Sequence, residues 1–526
     1  MSSWVTRSYP ILFASVPILY FAANTQGEFE FSSLLWMLGA AVLVCALVYG
    51  LARLAGGSRG AGALPPFVAL LAVAWFFGYP RIAGTLRGDG EDLRHAILIP
   101  AGLALCTLLL WWIRRREQLL EKIARFFTLT GALLVCWSAF QIGTLWFRGR
   151  AYVAGSELAD ELARPIRGPA SVSEPRRDVY LLVLDEYANA DVLREQFGFD
   201  NRPFEDSLRA LGFHVPRLVQ SNYFHTMLSL PSLLNAAHVT GLKRELGPTG
   251  THPALPSHLV EHNRVAPYLE ARGYRYAFFP SLWWHSTSGS SLADEEFRAW
   301  TGFDPLRALS GGELERTVLG LSVLRYLDRD HRWEADQVRR TFEGLAALPG
   351  GAEPVFAFAH VLKPHDPYVF DRDCAILGRE KDLNDVAPYI EQLQCLNRML
   401  LKTVGDILQR SDVPPIIILQ GDHGTKLLGA NGYSHPDEVS PAAARERFGA
   451  FGAYFLPAGG AAAFGDTVTV VNVLGNVLRH YFGADLPRAG DQQYISPADA
   501  PYQFRRVDPG WLAGDDVARL ELRAAR

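Results

Sequence analysis

The chain has 526 residues, 49% of them hydrophobic and 20% charged, with a formal net charge of −4. That length allows more than one domain, and the balanced charge gives no basis for nucleic-acid binding. The average conceals two regions: residues 1–147 are mostly apolar, and the rest has the composition of an ordinary globular domain.

Five apolar spans stand out in the first region, at residues 9–23, 33–54, 64–83, 96–113 and 126–147. Most approach the ~20 residues that a bilayer-crossing helix needs. The first is short, and with Arg7 ahead of it and Phe21-Ala22-Ala23 at its end it also fits a signal-peptide pattern. Both readings leave the later domain on the same side. Arg53 and Arg59 follow span two, and Arg114, Arg115, Arg116, Lys122 and Arg125 follow span four, so these loops are expected to be cytoplasmic. An odd number of spans from a cytoplasmic N-terminus puts everything after Phe147 outside. Cys45, Cys106 and Cys136 fall in the spans as packing residues, whereas Cys374 and Cys395 lie where an oxidising compartment permits a disulfide.

Residues 148–177, rich in Ala, Gly, Pro and alternating charge, read as a juxtamembrane linker. A catalytic domain is expected over 178–510 and a polar tail over 511–526. Strand-like segments at 179–184, 274–279, 355–360, 416–420 and 453–456 alternate with helical ones. One of these helices is marked by Leu393, Leu396, Met399, Leu400, Val404, Ile407 and Leu408 on a single face. The alternation predicts an α/β domain with a mostly parallel central sheet.

Chemistry-bearing residues gather at the ends of those strands. The run Ile416–Gln420 leads into Gly421-Asp422-His423-Gly424, and Val179–Leu184 into Asp185-Glu186-Tyr187. The strand over 355–360 ends on His360 and is followed by Lys363-Pro364-His365-Asp366-Pro367-Tyr368. Ligands in open α/β sheets bind at the carboxyl ends of strands, and a buried Asp-His pair there needs a partner such as a metal ion. A fourth segment, Ser221-Asn222-Tyr223-Phe224-His225-Thr226, brings a hydroxyl into the start of an apolar helix. Together these are the parts of a metal-assisted phosphoryl or sulfuryl transfer site. Each has a structural alternative. Asp185 and Thr226 can cap helices, His360 can be a core histidine, and His365 and His435 can brace loops. His225 and Lys363 are candidates for phosphate contact, and Trp283-Trp284-His285 for a cleft lining or simple packing.

Thr226-x-x-Ser229-x-Pro231, Asp422-His423-Gly424 and a histidine thirteen residues past Asp422 (His435) resemble the bacterial phosphoethanolamine transferases. More broadly they resemble the sulfatase-like branch of the alkaline phosphatase superfamily, which includes the lipoteichoic acid synthases. The resemblance implies a five-span α-helical membrane domain followed by an alkaline-phosphatase/sulfatase-like domain outside the bacterial inner membrane. It implies one divalent ion (zinc, manganese or magnesium) on Asp185 or Glu186, Thr226, Asp422 and His423, with Asp185 favoured because it directly ends the strand. It implies Thr226 as nucleophile and His365 and His435 as substrate-side histidines. The implied activity is transfer of a phosphoethanolamine or phosphoglycerol group from a phospholipid donor to an envelope lipid or glycan, through a covalent phosphothreonine. A phosphodiesterase or phosphatase on the same site, or a catalytically silent envelope scaffold, are the alternatives. Three departures stand out. Asp185-Glu186 replaces Gly-Glu, Thr425-Lys426 replaces an acid and a serine, and the Cys-x-Pro-x-Arg segment of true sulfatases is absent, which argues against sulfate-ester hydrolysis.

Overall fold

A computed structural model of the chain describes residues 7–24, 31–55, 63–85, 91–170, 175–281, 287, 289–297, 313–326, 332–378, 385–429 and 435–508. It divides into two compact units. One comprises Met1–Arg148 with Phe303–Arg329, the other Gly149–Gly302 with Asp330–Arg526.

The first unit is helical: α1 (Tyr9–Asn24), α2 (Phe31–Ala55), α3 (Leu64–Thr85), α4 (Glu91–Ile113) and α5 (Glu117–Ala154). The last four contain stretches long and apolar enough to cross a membrane, and α1, at 16 residues, is shorter. The outward faces of α2 and α4 expose Leu43, Leu47, Leu51, Leu105 and Leu108 by more than half. Apolar surface on that scale is stable against hydrocarbon rather than water. The helix Glu313–Gly320 and the short turn Val323–Tyr326 also belong to this unit. Leu314 and Val318 pack with Ile18, Leu34 and Met37, and the Tyr326 ring meets Tyr79 edge-on at 5.9 Å. Nothing in the composition of this segment signals that it returns to the membrane helices.

The second unit is built on a six-stranded sheet. In chain order the strands are β1 (Val179–Leu184), β2 (Leu218–Gln220), β3 (Arg275–Phe279), β4 (Glu295–Glu296), β5 (Val355–Val361), β6 (Ile416–Gly421), β7 (Gly452–Phe455), β8 (Thr467–Thr469) and the short pair β9 (Tyr494–Ile495) and β10 (Arg505–Arg506). The central sheet runs β4-β3-β5-β1-β6-β7, and β2 pairs separately with β8. All its neighbours are parallel except β6 and β7. The expected strand at 453–456 is therefore the antiparallel edge of an otherwise parallel sheet, as happens often in α/β folds.

β1, β5 and β6 are buried along their whole length. Their alternate residues feed two cores. Tyr180, Leu182 and Leu184 with Ile417 and Leu419 face one, and Val179, Leu181 and Val183 with Ile416 and Ile418 face the other. This is why these strands read as continuous apolar runs rather than alternating ones. The first core is covered by the helices Arg332–Ala347 and Val386–Arg410, the second by Thr226–Asn235 and Val473–Phe482. Each buried Leu, Val or Ile contributes on the order of 1.5–3 kcal/mol relative to an exposed one, so the central strands form the rigid base of the unit. Cys374 and Cys395 are joined as a disulfide.

Candidate metal centre

Register decides what meets at the sheet's carboxyl edge. Leu184 pairs with Gly421 on one side and Val361 on the other, and Val183 pairs with His360. The next residues along β1 and β6, Asp185 and Asp422, consequently leave the sheet side by side. Gly424 is required by close packing rather than by flexibility. A Cβ there would lie 1.9 Å from the Glu446 carbonyl, and at Gly421 2.6 Å from that of Tyr187. Neither glycine has a positive φ. The two glycines therefore let the Asp422-His423 turn sit against neighbouring backbone.

Asp185, Asp422 and His423 are 0–1% exposed, and each offers a donor atom within 4.8 Å of the others. Asp185 Oδ1 and Asp422 Oδ2 receive no hydrogen bond among the described residues. Buried carboxylate oxygens are normally satisfied, so two orphans facing one imidazole call for a cation. Burial raises both carboxyl pKa values, and for Asp185 the neighbouring Asp422 adds to it. The His423 imidazole is held well below its usual range by burial and by Arg447. Its Nδ1–H donates to the Gly424 carbonyl at 3.0 Å, leaving Nε2 as a lone pair 3.1 Å from Asp422 Oδ2. This is the protonation pattern of a histidine ligand, and the donor set fits a divalent metal.

Thr226 is the first residue of the helix Thr226–Asn235 and does not cap it; His225 occupies the cap position without a side-chain bond to the helix. The Thr226 hydroxyl instead donates to His423 Nε2 at 3.0 Å, buried at the same edge. Asp185, Thr226, Asp422 and His423, drawn from three segments of the chain, thus converge on one point.

Glu186 takes a different course. It adopts a left-handed backbone (φ 58°), which turns its side chain away from Asp185 and onto cations. Arg447 Nη1 donates to its carboxylate at 2.6 Å, Lys426 Nζ lies at 3.4 Å and His365 Nε2 at 3.7 Å. Burial works against its ionisation, but His365, Arg447 and Lys426 outweigh it and hold the pKa down to about 2. Of the adjacent acids, Asp185 is the one grouped with Asp422 and His423. His365 joins through this second cluster. Its Nδ1 lies 2.5 Å from the Asp366 carbonyl and its Nε2 3.1 Å from Lys426 Nζ, which also pairs with Asp366 Oδ2 at 3.1 Å. The acids Glu186 and Asp366 raise the Lys426 pKa against the effect of burial.

His435 is half-exposed and caps its own short turn, with Nδ1 accepting from Asp437 N and lying 3.3 Å from Asp437 Oδ2. Its hydrogen bonds and ion pairs involve none of the other candidate residues. Lys363 does not face the site: it is 1% exposed and pairs with Glu334 at 2.6 Å, bracing the loop through the carbonyls of His365 and Pro367. His225 is turned to the Ser496 carbonyl at 2.8 Å, and burial holds its pKa down at about 4. Neither is placed for the phosphate contact expected of it. His360 is buried with Nε2 3.7 Å from Asp185 Oδ2 and Nδ1 3.3 Å from Thr287, at the border of core and site. Trp283-Trp284-His285 and residues 432–434 lie outside the described residues.

Arg447 is the residue that sequence reasoning misses. Its guanidinium donates to Glu186, to the Gly424 carbonyl at 2.8 Å and to the Phe224 carbonyl at 2.7 Å, and it lies 3.3 Å from His423 Nε2. It ties together the segments that carry Asp185, Thr226 and His423. The stretch Ala442-Ala443-Ala444-Arg445-Glu446-Arg447 reads as an exposed charged helix, yet Glu446 and Arg447 are 0% and 4% exposed. Glu446 accepts from the Thr425 hydroxyl and from Leu428 N, which accounts for the threonine after Gly424.

No family model matches the chain, and no curated protein matches it. Among solved structures it is similar to the C-terminal periplasmic domain of EcEptC from Escherichia coli, at 10% identity over 67% of this chain and 98% of that one, with a TM-score of 0.45. It is similar to the periplasmic domain of the phosphoethanolamine transferase EptC from Campylobacter jejuni, at 12% identity over 60% and 94% of the two chains, with a TM-score of 0.35. The third likeness is to BT1596, a 2-O GAG sulfatase, at 11% identity over 66% and 90%, with a TM-score of 0.40.

Proposed function

We propose that the chain is a membrane-anchored, metal-dependent transferase that moves a phospholipid-derived phosphoethanolamine or phosphoglycerol group to an envelope lipid or glycan. The observation that carries this reading is the Thr226 hydroxyl, buried 3.0 Å from His423 Nε2 and grouped with two carboxylates that each leave one buried oxygen unsatisfied. A divalent ion on Asp185, Asp422, His423 and Thr226 would favour the alkoxide and offset charge on the phosphoryl oxygens. Zinc, manganese and magnesium all suit such a set.

Thr226 Oγ, its proton released to water as the alkoxide forms, attacks the phosphorus of the donor, its bond to phosphorus forming as the bond to the diacylglycerol oxygen breaks. The amino end of the helix Thr226–Asn235 favours the phosphoryl charge beside it. His365, with Nδ1–H on the Asp366 carbonyl and Nε2 accepting from the Lys426 ammonium, is arranged to relay a proton from that ammonium to the departing oxygen and to return one from the incoming hydroxyl. His435, half-exposed on its turn, would serve the acceptor at the rim. The catalytic unit would lie outside the bacterial inner membrane, as the basic loops imply.

The test is intact-protein and peptide mass spectrometry of the detergent-purified full chain, incubated with phosphatidylethanolamine or phosphatidylglycerol vesicles. A discrete mass on Thr226 is expected, and its value names the transferred group. An unmodified Thr226 with release of the free headgroup phosphate to water would replace the transferase with a hydrolase.

A further inference from the structure

The helical unit contains a second feature that the transfer chemistry does not use. A cavity of about 500 Å³ lies among α1, α2, α3 and the returning segment. Ala41 and Ala72 line it from the spans, and Val318, Leu319 and Ser322 from the segment. Its size is within the range of small-molecule sites, and an apolar cavity stays dry and accepts apolar molecules. In a unit whose outer surface is hydrocarbon-facing, the available apolar molecule is a lipid acyl chain.

A buried acid lies one side chain behind the wall of this cavity. Glu315, on the helix Glu313–Gly320, is 3% exposed. Its Oε1 accepts from the indole N–H of Trp36 at 3.3 Å, while Oε2 has no partner among the described residues. Trp36 also lines the cavity, so the acid and the apolar space are joined by one side chain. Acids among membrane-embedded helices are costly and are retained where they pair with a ligand or a partner. An acyl-chain space with an unsatisfied acceptor oxygen one side chain behind its wall, beyond Trp36, matches a lipid whose headgroup carries a donor.

We propose that α1, α2, α3 and the segment Leu314–Leu324 form a phospholipid-binding site, with an acyl chain in the cavity and a headgroup ammonium or hydroxyl donating to Glu315. The chain leaves the catalytic unit after Gly302 and re-enters it at Asp330, so the lipid would be held by a segment spliced directly into the catalytic chain. This inference does not depend on Thr226 being a nucleophile, and Thr226→Ala leaves it testable.

The experiment is native mass spectrometry of the delipidated full chain in detergent, titrated separately with phosphatidylethanolamine, phosphatidylglycerol and phosphatidylcholine. The first two offer headgroup donors, and the third, a quaternary ammonium, offers none. One saturable adduct is expected with at least one of the first two, about tenfold tighter than with phosphatidylcholine; whichever binds tighter identifies the donor as ammonium or hydroxyl. Ala72→Trp, or the milder Ala41→Leu if the first unfolds, should remove that adduct by filling the cavity. Glu315→Leu should abolish the preference over phosphatidylcholine while an adduct remains. Equal binding of all three lipids by the wild type, or an unchanged adduct in a folded cavity-filled variant, would overturn the proposal.

Discussion

Asp185 and Glu186 are neighbours in sequence, both buried, and opposite in circumstance. Around Asp185 and Asp422 the described residues supply too few donors, and both carboxyl pKa values are raised. Around Glu186 they supply Arg447, Lys426 and His365, and the pKa falls to about 2. One carboxylate is completed by the protein and the other is left for something that is not protein. The comparison separates the framework of the site from its demand for a ligand, which no inspection of the Asp-Glu dipeptide could do. The same contrast explains Lys363, whose ion pair with Glu334 is complete and whose role is to hold a loop.

The largest expected effect breaks the unsatisfied side at its reacting atom. Thr226→Ala should lower turnover by about 10⁴–10⁶-fold, the range seen when a covalent nucleophile is removed, with the fold and metal content retained. Phospholipid turnover and metal analysis on the same preparation check it, and near-normal turnover would remove Thr226 from the chemistry. Breaking the satisfied side should act on stability instead. Arg447→Met leaves Glu186 buried without its closest cation and should cost about 3–5 kcal/mol in denaturant unfolding of the unit built on the central sheet. A loss below about 1 kcal/mol would mean that Lys426 and His365 alone complete Glu186.

Acidity distinguishes the two sides further. Asp185 and Asp422 have folded pKa values raised above the unfolded 3.8, so in metal-free protein their stabilising effect is fully present below that value. It is lost as pH rises through the raised folded values. Glu186 runs oppositely: its contribution is present above its unfolded value of 4.5 and is lost as pH falls toward about 2. Chelated protein should therefore lose on the order of 1–3 kcal/mol as pH rises toward neutrality, and a divalent ion should restore it. Thermal unfolding with and without chelator from pH 4 to 8 measures this, and curves that coincide at neutral pH would argue against an ion on these carboxylates. Asp422→Asn should flatten the chelated profile, because one of the two competing charges is gone.

Much of this architecture is legible in the chain because it is dictated by local composition. Apolar runs such as Tyr180–Leu184 and Ile416–Leu419 must be buried on both faces, and polar residues at their ends must sit on one sheet edge. Asp185, Asp422, His423 and Thr226 could thus be assembled from strand ends and motifs. Arg447 could not, since its helix is Ala- and charge-rich and its burial depends on segments more than two hundred residues distant, at Glu186 and Phe224. The return of Leu314–Tyr326 to the membrane helices was equally hidden, because it rests on packing with Ile18 and Met37 rather than on any apolar run of its own.

The smallest expected effect concerns the two histidines that the motifs treat alike. His365 is wired into the Glu186 cluster through Lys426 and Asp366, whereas His435 is half-exposed and bonded to its own turn. Loss of a positioned acid–base group typically costs about 10²–10⁴-fold, and His365→Ala should fall in that range. His435→Ala should cost about tenfold or less, because a solvated imidazole on a rim can be replaced in part by water. The distinction is sharpest in the half-reactions. His365→Ala should slow formation of the Thr226 adduct itself, whereas His435→Ala should leave adduct formation intact and slow only its discharge to the acceptor. Single-turnover labelling of Thr226, followed by a chase with acceptor lipid or glycan, separates the two steps. Equal slowing of labelling in both variants would place His435 beside the phosphoryl group in the working enzyme and erase the difference between the histidines.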